Sequence, residues 1–280
     1  MIRTGLWRRW TRGHRWSWIN ERFRADLPTD FDESALDREI SDRFHAKQGR
    51  STARLRLDSP SGRGRVSGYL KRHSRLPWRT RLAAWLDPEG RHSPAAVEWT
   101  RLEQARDLGI RVPQVIAVGE HLGPRAELRC YLYVAELEGC EELHLAVPRL
   151  VRSPEFAARK RVIIRELAEL VAAMHNASWF HKDLYLCHLF LDWDRLEADA
   201  DRLRLIDLQR LERHPIAALR WRSKDLGQLL YSTFGVEGID DRDRSRFWMH
   251  YRRLTKLRAP RLQAAWARMK ALRYWRHNSS

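Results

Sequence analysis

The chain has 280 residues, of which 43% are hydrophobic and 32% charged, and its formal net charge is +17. This composition indicates a globular protein with enough apolar residues for one large domain or two compact lobes. No apolar run reaches the roughly 18 residues that a spanning helix needs, and the N-terminus lacks the apolar segment of a signal peptide. Cys130, Cys140 and Cys187 show no paired spacing, so we expect neither a disulfide framework nor a CxxC zinc site, and a cytoplasmic compartment.

The positive charge lies at the two ends of the chain. Residues 1–24 hold seven arginines and one acid, residues 242–280 hold twelve Lys or Arg and one acid, and residues 25–241 sum to zero. The same ends contain seven of the thirteen tryptophans, namely Trp7, Trp10, Trp16, Trp18, Trp248, Trp266 and Trp275. Basic residues interleaved with Trp suit an anionic membrane surface, and they equally suit nucleic-acid phosphates. A further interpretation is solvated arginine faces with Trp packed beneath them.

The first half of the chain is predicted to be rich in strands. Residues 1–44 form a basic, aromatic extension that ends in a helix from Glu33 to Phe44. Period-two alternation predicts a hairpin that places Lys71 on its second strand, and Ser93 followed by Pro94 predicts a capped helix that carries Glu98. The predicted strands cover residues 52–58, 66–73, 112–119 and 127–134. We take residues 45–138 as one lobe.

The second half, residues 139–280, is predicted to be a helical lobe. A helix capped by Ser153 carries an apolar stripe, and a short strand at 203–208 carries Asp207. Further helices are predicted at 224–234, 242–257 and 261–276. The predicted fold class is therefore α+β, with a strand-rich lobe followed by a helical one.

The strongest chemical signal lies between Trp179 and Asp192. His181-Lys182-Asp183 follows a helical pattern, and His188 comes five residues after the aspartate. A kinase catalytic loop has this layout, with an Asp that accepts a hydroxyl proton and, five residues on, an Asn that helps to hold the metal. For His188 the alternatives are a hydrogen-bonded core histidine or, with Cys187, a zinc ligand. Zinc is disfavoured because no further cysteine pair is present.

Phosphoryl transfer needs a lysine on the nucleotide phosphates, a carboxylate that orients this lysine, a base and ligands for magnesium. Lys71 and Glu98 are candidates for the ion pair, Asp183 for the base, and Asp207 with His188 for the metal. Each residue alone has a plain structural alternative, such as a surface lysine or a turn cap. Their order on the expected strands and helices favours a phosphotransferase.

The sequence Phe180–Leu191 resembles the catalytic loop of the lipopolysaccharide kinase (Kdo/WaaP) family, in which Cys-His stands where protein kinases have Asn. Leu205-Ile-Asp-Leu-Gln-Arg210 is similar to that family's replacement of Asp-Phe-Gly, and Lys224–Tyr231 to the helix that follows. The pattern of residues 66–119 also matches, so the resemblance covers residues 45–235.

The resemblance implies a protein-kinase-like fold, ATP with Mg²⁺ as donor, and a heptose or Kdo hydroxyl of the lipopolysaccharide inner core as acceptor. It implies roles for the candidate residues: Asp183 as base, His188 and Asp207 as the metal-side pair, and Lys71 with Glu98 at the phosphates. We add Glu136, at the close of the strand-rich lobe, as a candidate in the nucleotide site. Residues 47–52, where the nucleotide loop is expected, contain one glycine.

A non-protein acceptor is favoured because Asp225 follows Asp207 by only 18 positions, with no Ala-Pro-Glu signature. That segment leaves little room for peptide docking. We expect an enzyme that is peripheral on the cytoplasmic face of the inner membrane and that contacts anionic lipid rather than nucleic acid. The alternatives are a kinase for another small molecule or a protein, and an inactive kinase-like scaffold that binds membrane or nucleic acid. The oligomeric state stays open.

Overall fold

The computed structural model describes residues 13–28, 31, 42–47, 49–60, 62, 64–74, 76–87, 91–123, 127–198, 200–255, 257 and 259–278. The chain divides into two compact units. The first contains residues 1–102 and 113–137, and the second contains residues 103–112 and 138–280. The domain boundaries at residues 44 and 138 that we derived from the sequence stay predictions.

The first unit is built on a six-stranded antiparallel sheet. Its strands are β1 (His14–Ile19), β2 (Asp42–Lys47), β3 (Arg50–Asp58), β4 (Arg65–His73), β5 (Val115–Leu122) and β6 (Leu128–Ala135). They lie in the order β1-β5-β6-β4-β3-β2. The four predicted strands are confirmed as β3 to β6, because alternating residues such as Leu55 and Leu70 face a buried core.

Part of the predicted N-terminal extension belongs to this sheet, which corrects the sequence interpretation. Strand β1 pairs with β5 along its whole length, from His14 opposite Leu122 to Ile19 opposite Ala117. The predicted helix from Glu33 to Phe44 is wrong at its end, since Phe44 lies in β2 and the backbone of β2 pairs with β3. The rest of that predicted helix, up to residue 41, lies outside the described residues.

Three helices begin in the first unit: α1 (Glu21–Arg24), α2 (Trp78–Leu86) and α3 (Pro94–Asp107). The predicted cap of α3 is confirmed, because the backbone N–H of Ala96 donates to Ser93 Oγ at 3.1 Å. Pro94 occupies the first helical position, where its missing N–H costs nothing. This start fixes the helix that carries Glu98.

The second unit is mainly helical. Its helices are α4 (Leu143–Leu150), α5 (Phe156–Asn176), α6 (Ala218–Ser232), α7 (Asp241–Thr255) and α8 (Pro260–Asn278). Strands β7 (Cys140–Glu142), β9 (Leu189–Asp192) and β10 (Leu203–Leu205) form one small sheet, and β8 (Trp179–Phe180) pairs with β11 (Glu212–Arg213). The predicted stripe of α5 is buried at Ile163, Leu167 and Val171. Helix α5 begins three residues after its predicted cap, Ser153.

Helix α6 packs very closely on α8 because Gly227 has no side chain. A Cβ atom at Gly227 would lie 2.7 Å from the Cβ of Lys270 and 3.1 Å from the carbonyl oxygen of Ala267. Any larger residue would push the two helices apart. The contact fixes the position of α6, which carries side chains of the candidate site. None of the helices that the structure describes is both long and apolar enough to span a bilayer.

Candidate active site

The loop that follows β8 is held by a carboxylate on α6. Asp225 is fully buried, and its two oxygens accept from the backbone N–H of His181 at 2.8 Å and of Lys182 at 2.7 Å. Its Oδ2 is also 3.3 Å from His175 Nε2. Lys182 has a φ of 66°, a left-handed conformation that is strained for this residue type. The bonds to Asp225 hold the backbone in that conformation directly before Asp183.

His181 connects this loop to the segment that carries Asp207. The ring is buried, and its Nε2–H donates to the carbonyl oxygen of Ile206 at 3.0 Å. Burial lowers the pKa of His181, so the ring is neutral and the carbonyl fixes its tautomer. The N–H of Ile206 in turn donates to the carbonyl oxygen of His188 at 2.9 Å. Two hydrogen bonds therefore join the segments that carry the predicted base and the predicted metal ligand.

Three of the predicted site residues form one cluster. Ligand atoms of Asp183, His188 and Asp207 all lie within 4.8 Å of one another. His188 Nδ1–H donates to the carbonyl oxygen of Asp183 at 2.7 Å, and His188 Nε2 is 3.9 Å from Asp207 Oδ2. Asp207 has φ 56° and ψ 57°, a left-handed conformation that aspartate adopts more readily than most residues. The donor set of two carboxylates and one imidazole fits a divalent cation, and the carboxylates suit Mg²⁺ best.

The surroundings of His188 favour a second ring proton, on Nε2. Burial lowers its pKa, but hydrogen bonds with Cys187 and with the carbonyl of Asp183, together with the charge of Asp207, raise it to about 9. The ring is then a cation beside Asp207. A metal bound to Nε2 would have to displace that proton.

Residues of α6 surround the carboxylate of Asp183. Gln228 Nε2 donates to Asp183 Oδ1 at 3.2 Å and to the hydroxyl of Tyr185 at 2.9 Å. Arg210 Nη1 is 3.9 Å from Asp183 Oδ1, and Lys224 Nζ donates to the carbonyl oxygen of Lys182. Burial lowers the pKa of Lys224, although the charges of Asp225 and Asp183 oppose this effect. The predicted base therefore lies among amide and cationic groups.

The sequence interpretation assigned no role to Asp225 or Gln228. The sequence does contain a signal, since the two polar residues are three positions apart on one helix and each is followed or preceded by an apolar residue or glycine, at 226, 227, 229 and 230. That spacing places both on the buried face of α6, where polar side chains need partners. The sequence does not show which partners these two side chains have in the folded protein.

Lys71 and Glu98 form an ion pair in the first unit. Lys71 lies on β4, a central strand, opposite Thr52 of β3 and Leu132 of β6. Its Nζ is 2.5 Å from Glu98 Oε1, and the two side chains are 16% and 5% exposed. The pair is the arrangement that the sequence interpretation expected for a lysine on the nucleotide phosphates.

The carboxylate of Glu136 has another partner. Its Oε1 is 2.6 Å from Arg54 Nη2, and its backbone N–H donates to the carbonyl oxygen of Ser67 at 3.0 Å. These contacts tie the end of β6 to β3 and β4. A role for Glu136 in nucleotide binding stays a prediction. In the predicted nucleotide loop, Gly49 has a φ of 82° at the β2–β3 turn, and Gln48 lies outside the described residues.

The second unit also contains a cavity of about 550 Å³ among its helices. Most of the lining is aliphatic or aromatic, including Leu150, Ile163, Leu229 and Phe247. An ion pair between Lys160 and Asp243, at 2.6 Å, supplies part of its polar lining. The cavity suits an apolar ligand.

Known proteins resemble this chain in sequence and in structure. The model of the family described as "Lipopolysaccharide kinase (Kdo/WaaP) family" matches residues 83–251. The lipopolysaccharide core heptose(I) kinase WaaP of Pseudomonas aeruginosa is 30% identical over 213 residues, which cover 74% of this chain and 75% of that protein. WaaP of Escherichia coli is 29% identical over 156 residues, which cover 55% of this chain and 58% of that protein.

A solved structure, WaaP in complex with acyl carrier protein, superposes with a TM-score of 0.69 at 27% identity. The match covers 92% of this chain and 98% of that one. The chain therefore belongs to the lipopolysaccharide kinase (Kdo/WaaP) family, and the α+β, protein-kinase-like fold and the kinase activity expected from its catalytic loop are confirmed.

Proposed function

We propose that this protein transfers the γ-phosphate of ATP to a heptose hydroxyl of the lipopolysaccharide inner core. The observation that carries the proposal is the cluster of Asp183, His188 and Asp207, whose ligand atoms lie within 4.8 Å of one another. Heptose is favoured over Kdo because the relatives from P. aeruginosa and E. coli are named heptose(I) kinases.

Asp183 is the proposed base. Its carboxylate accepts the proton of the acceptor hydroxyl, the freed oxygen attacks the γ-phosphorus, and ADP leaves. Gln228 donates a hydrogen bond of 3.2 Å to Oδ1 of Asp183. This bond fixes the orientation of the whole carboxylate. Lys71, oriented by Glu98, neutralises charge on the nucleotide phosphates.

Asp207 is the proposed main ligand for Mg²⁺, with Asp183 and His188 beside it. When bound, the metal supplies positive charge that neutralises the phosphate oxygens. The hydrogen bonds of Ile206 and the left-handed backbone at Asp207 hold this carboxylate in a fixed direction toward the cluster.

The surroundings of Asp183 suit an anionic sugar acceptor. Arg210 and Lys224 both lie near the base, and the side chain of Arg210 is 65% exposed. Between Asp207 and Asp225 the chain forms only a short 3₁₀ turn, β11 and the first residues of α6. A peptide-docking segment of the protein-kinase type has no room there, whereas a phosphorylated sugar needs only a few cations.

The test is phosphate transfer from radiolabelled ATP to a set of purified core glycolipids that end in heptose or in Kdo. We expect label on a heptose hydroxyl, located by mass spectrometry of the released sugars. Label on Kdo alone would reject the heptose assignment. Absence of transfer to every glycolipid, with nucleotide binding intact, would reject the acceptor class.

Replacing Gln228 with leucine is expected to lower kcat about five- to tenfold without lowering Tm. This fall in kcat corresponds to about 1 kcal/mol, the contribution of one hydrogen bond such as that from Gln228 to Asp183. Gln228 Oε1 is buried and has no partner among the described residues, so an apolar side chain of similar size removes an unsatisfied group. We would measure kcat, KM for ATP and Tm, with the exposed Gln114→Leu as control. A parallel fall of Tm and kcat would make Gln228 a structural residue only.

Replacing Lys71 with methionine is expected to impair both ATP use and stability. Removing one partner leaves Glu98 buried and unpaired, which costs about 3–5 kcal/mol. In the double variant Lys71→Met with Glu98→Gln, we expect Tm to recover while kcat/KM for ATP stays low. Recovery of both quantities would show that Lys71 acts only on the fold.

An acyl carrier protein is a further proposed partner. The solved relative is in complex with one, and the apolar cavity of about 550 Å³ offers room for an acyl chain. We expect acylated carrier protein to bind more tightly than the unacylated form in calorimetry. Ile163→Trp, which narrows the cavity, is expected to remove that difference, and equal affinity of wild type for both forms would count against the cavity's role.

A further inference from the structure

The outward face of α8 exposes large apolar side chains. Leu262 is 47% exposed, Trp266 37%, Met269 61% and Leu272 39%. Spacings of three and four residues place Leu262, Trp266 and Met269 on one side of the helix. The opposite side buries Ala267 and Ala271, at its contact with α6. Leu272 and Arg268 also line the cavity of the second unit, whereas Leu262, Trp266 and Met269 do not. We call the surface of these three residues with Arg261, Arg273 and Arg276 the α8 face.

The α8 face is strongly basic. Residues 260–278 contain no Asp or Glu, and they contain Arg261, Arg268, Lys270, Arg273 and Arg276. The four arginines are exposed. None of them forms a salt bridge with an acid in the part of the chain that the structure describes. Arginines without acidic partners around exposed Trp, Leu and Met match the chemistry of an anionic lipid surface.

The other tryptophans of the basic ends do not offer such a surface where the structure describes them. Trp18 stacks on Trp99 with 5.0 Å between the ring centroids, and the ring centroid of Trp16 lies 6.0 Å from that of Trp99. Trp248 packs against Tyr251 at 5.9 Å. Trp7 and Trp10 lie outside the described residues. Trp16 and Trp18 thus follow the packing interpretation, whereas Trp266 and Trp275 are 37% and 50% exposed.

We propose that the α8 face docks this protein on the anionic phospholipid headgroups of a membrane. Trp266 and Met269 enter the interface, and Arg273 and Arg276 contact lipid phosphates. The inference rests on the proposed function, because the acceptor is a glycolipid that is itself held in a membrane. Docking raises the local concentration of enzyme at that acceptor.

The test uses the full chain and vesicles of phosphatidylcholine with or without phosphatidylglycerol, in a flotation assay. We expect wild type to float with the anionic vesicles only. Arg273→Glu with Arg276→Glu is expected to lower vesicle binding at least about 30-fold, since each arginine contributes roughly a fivefold factor and reversal adds repulsion. Trp266→Ser with Met269→Ser is expected to lower it about tenfold.

The controls are matched changes elsewhere on the surface. Arg129→Glu with Arg161→Glu makes the same change in net charge, and Leu145→Ser removes a side chain that is 50% exposed. Both controls should bind vesicles as wild type does. Transfer to a deacylated, water-soluble acceptor should be unchanged in the α8 variants, while transfer to the same acceptor in vesicles should fall with vesicle binding.

Three results would overturn the α8 face as a membrane surface. The α8 variants could bind vesicles as wild type does, or they could lose transfer to the water-soluble acceptor. In the third result, the α8 variants lose binding to acyl carrier protein and keep binding to vesicles. The last result would make the face a protein-docking surface. Vesicle binding that depends on the α8 face, without transfer to any glycolipid, would leave the docking surface in place and reject the proposed acceptor.

Discussion

Replacing Asp183 with asparagine is expected to lower kcat about 100- to 10,000-fold, the usual contribution of a general base. Asparagine keeps the shape of the side chain and its position beside Gln228 and Tyr185. It cannot take the proton of the acceptor hydroxyl at neutral pH. The backbone before this position is held by Asp225 and not by Asp183 itself, so the loop should keep its conformation.

The measurement is kcat for phosphate transfer to the core glycolipid, together with Tm and the rise of Tm on adding ATP. We expect Tm and the nucleotide-dependent rise to be preserved, because ligand binding stabilises by mass action and does not need the base. Asp241→Asn, which removes a carboxylate that is 97% exposed, is the control for a general effect of lost charge. A kcat within about threefold of wild type, in the range of one weak hydrogen bond, would remove Asp183 from its assigned role.

The elements that the sequence predicted well are those with local signals. The hairpin of β3 and β4 follows from alternation over adjacent residues, and the start of α3 from the Ser93-Pro94 pair. The order of Lys71, Glu98, Asp183 and Asp207 also lies in the sequence itself. The strand, helix or loop that carries each of these residues is determined by local sequence, so the element on which each residue lies could be predicted.

The elements that the sequence did not predict depend on distant partners. Strand β1 pairs with β5, about a hundred residues later in the chain, and its one arginine and two tryptophans gave it the composition of a leader. The hydrogen bond from Gln228 to Asp183 spans 45 residues. No local pattern in β1 or α6 names such a partner, because pairing depends on how whole elements pack.

Composition also could not separate buried from exposed tryptophans. Trp18 and Trp266 both lie among arginines in the sequence, yet Trp18 stacks on Trp99 and Trp266 is 37% exposed. The difference comes from strand β1, which turns Trp16 and Trp18 to α3, and from α8, whose small residues face α6. Burial is a property of the packed elements, so charge and aromatic content alone left the partner of the basic ends open.

Replacing Asp207 with asparagine is the second change with a large expected effect. We expect kcat to fall about 100-fold or more, because an amide oxygen is a weaker ligand for Mg²⁺ than a carboxylate and leaves phosphate charge less neutralised. Asparagine tolerates the left-handed backbone at this position, where φ is 56°, whereas alanine would add strain and confuse a binding defect with a folding defect. ATP without metal should raise Tm as in wild type, and the additional rise on adding Mg²⁺ should disappear.

The chain contains a matched control for Asp207. Asp201 also has a left-handed backbone, with φ 66°, but its carboxylate pairs with Arg111 and lies outside the cluster. Asp201→Asn therefore makes the same chemical change at a residue that also has a positive φ, and it should keep the Mg²⁺-dependent rise of Tm. If Asp207→Asn also keeps that rise while kcat falls, Asp207 acts on the reaction without holding the metal, and the metal must depend on other oxygen ligands. If kcat stays within about threefold of wild type, a change no larger than one weak hydrogen bond, the cluster of Asp183, His188 and Asp207 is not the centre of the reaction.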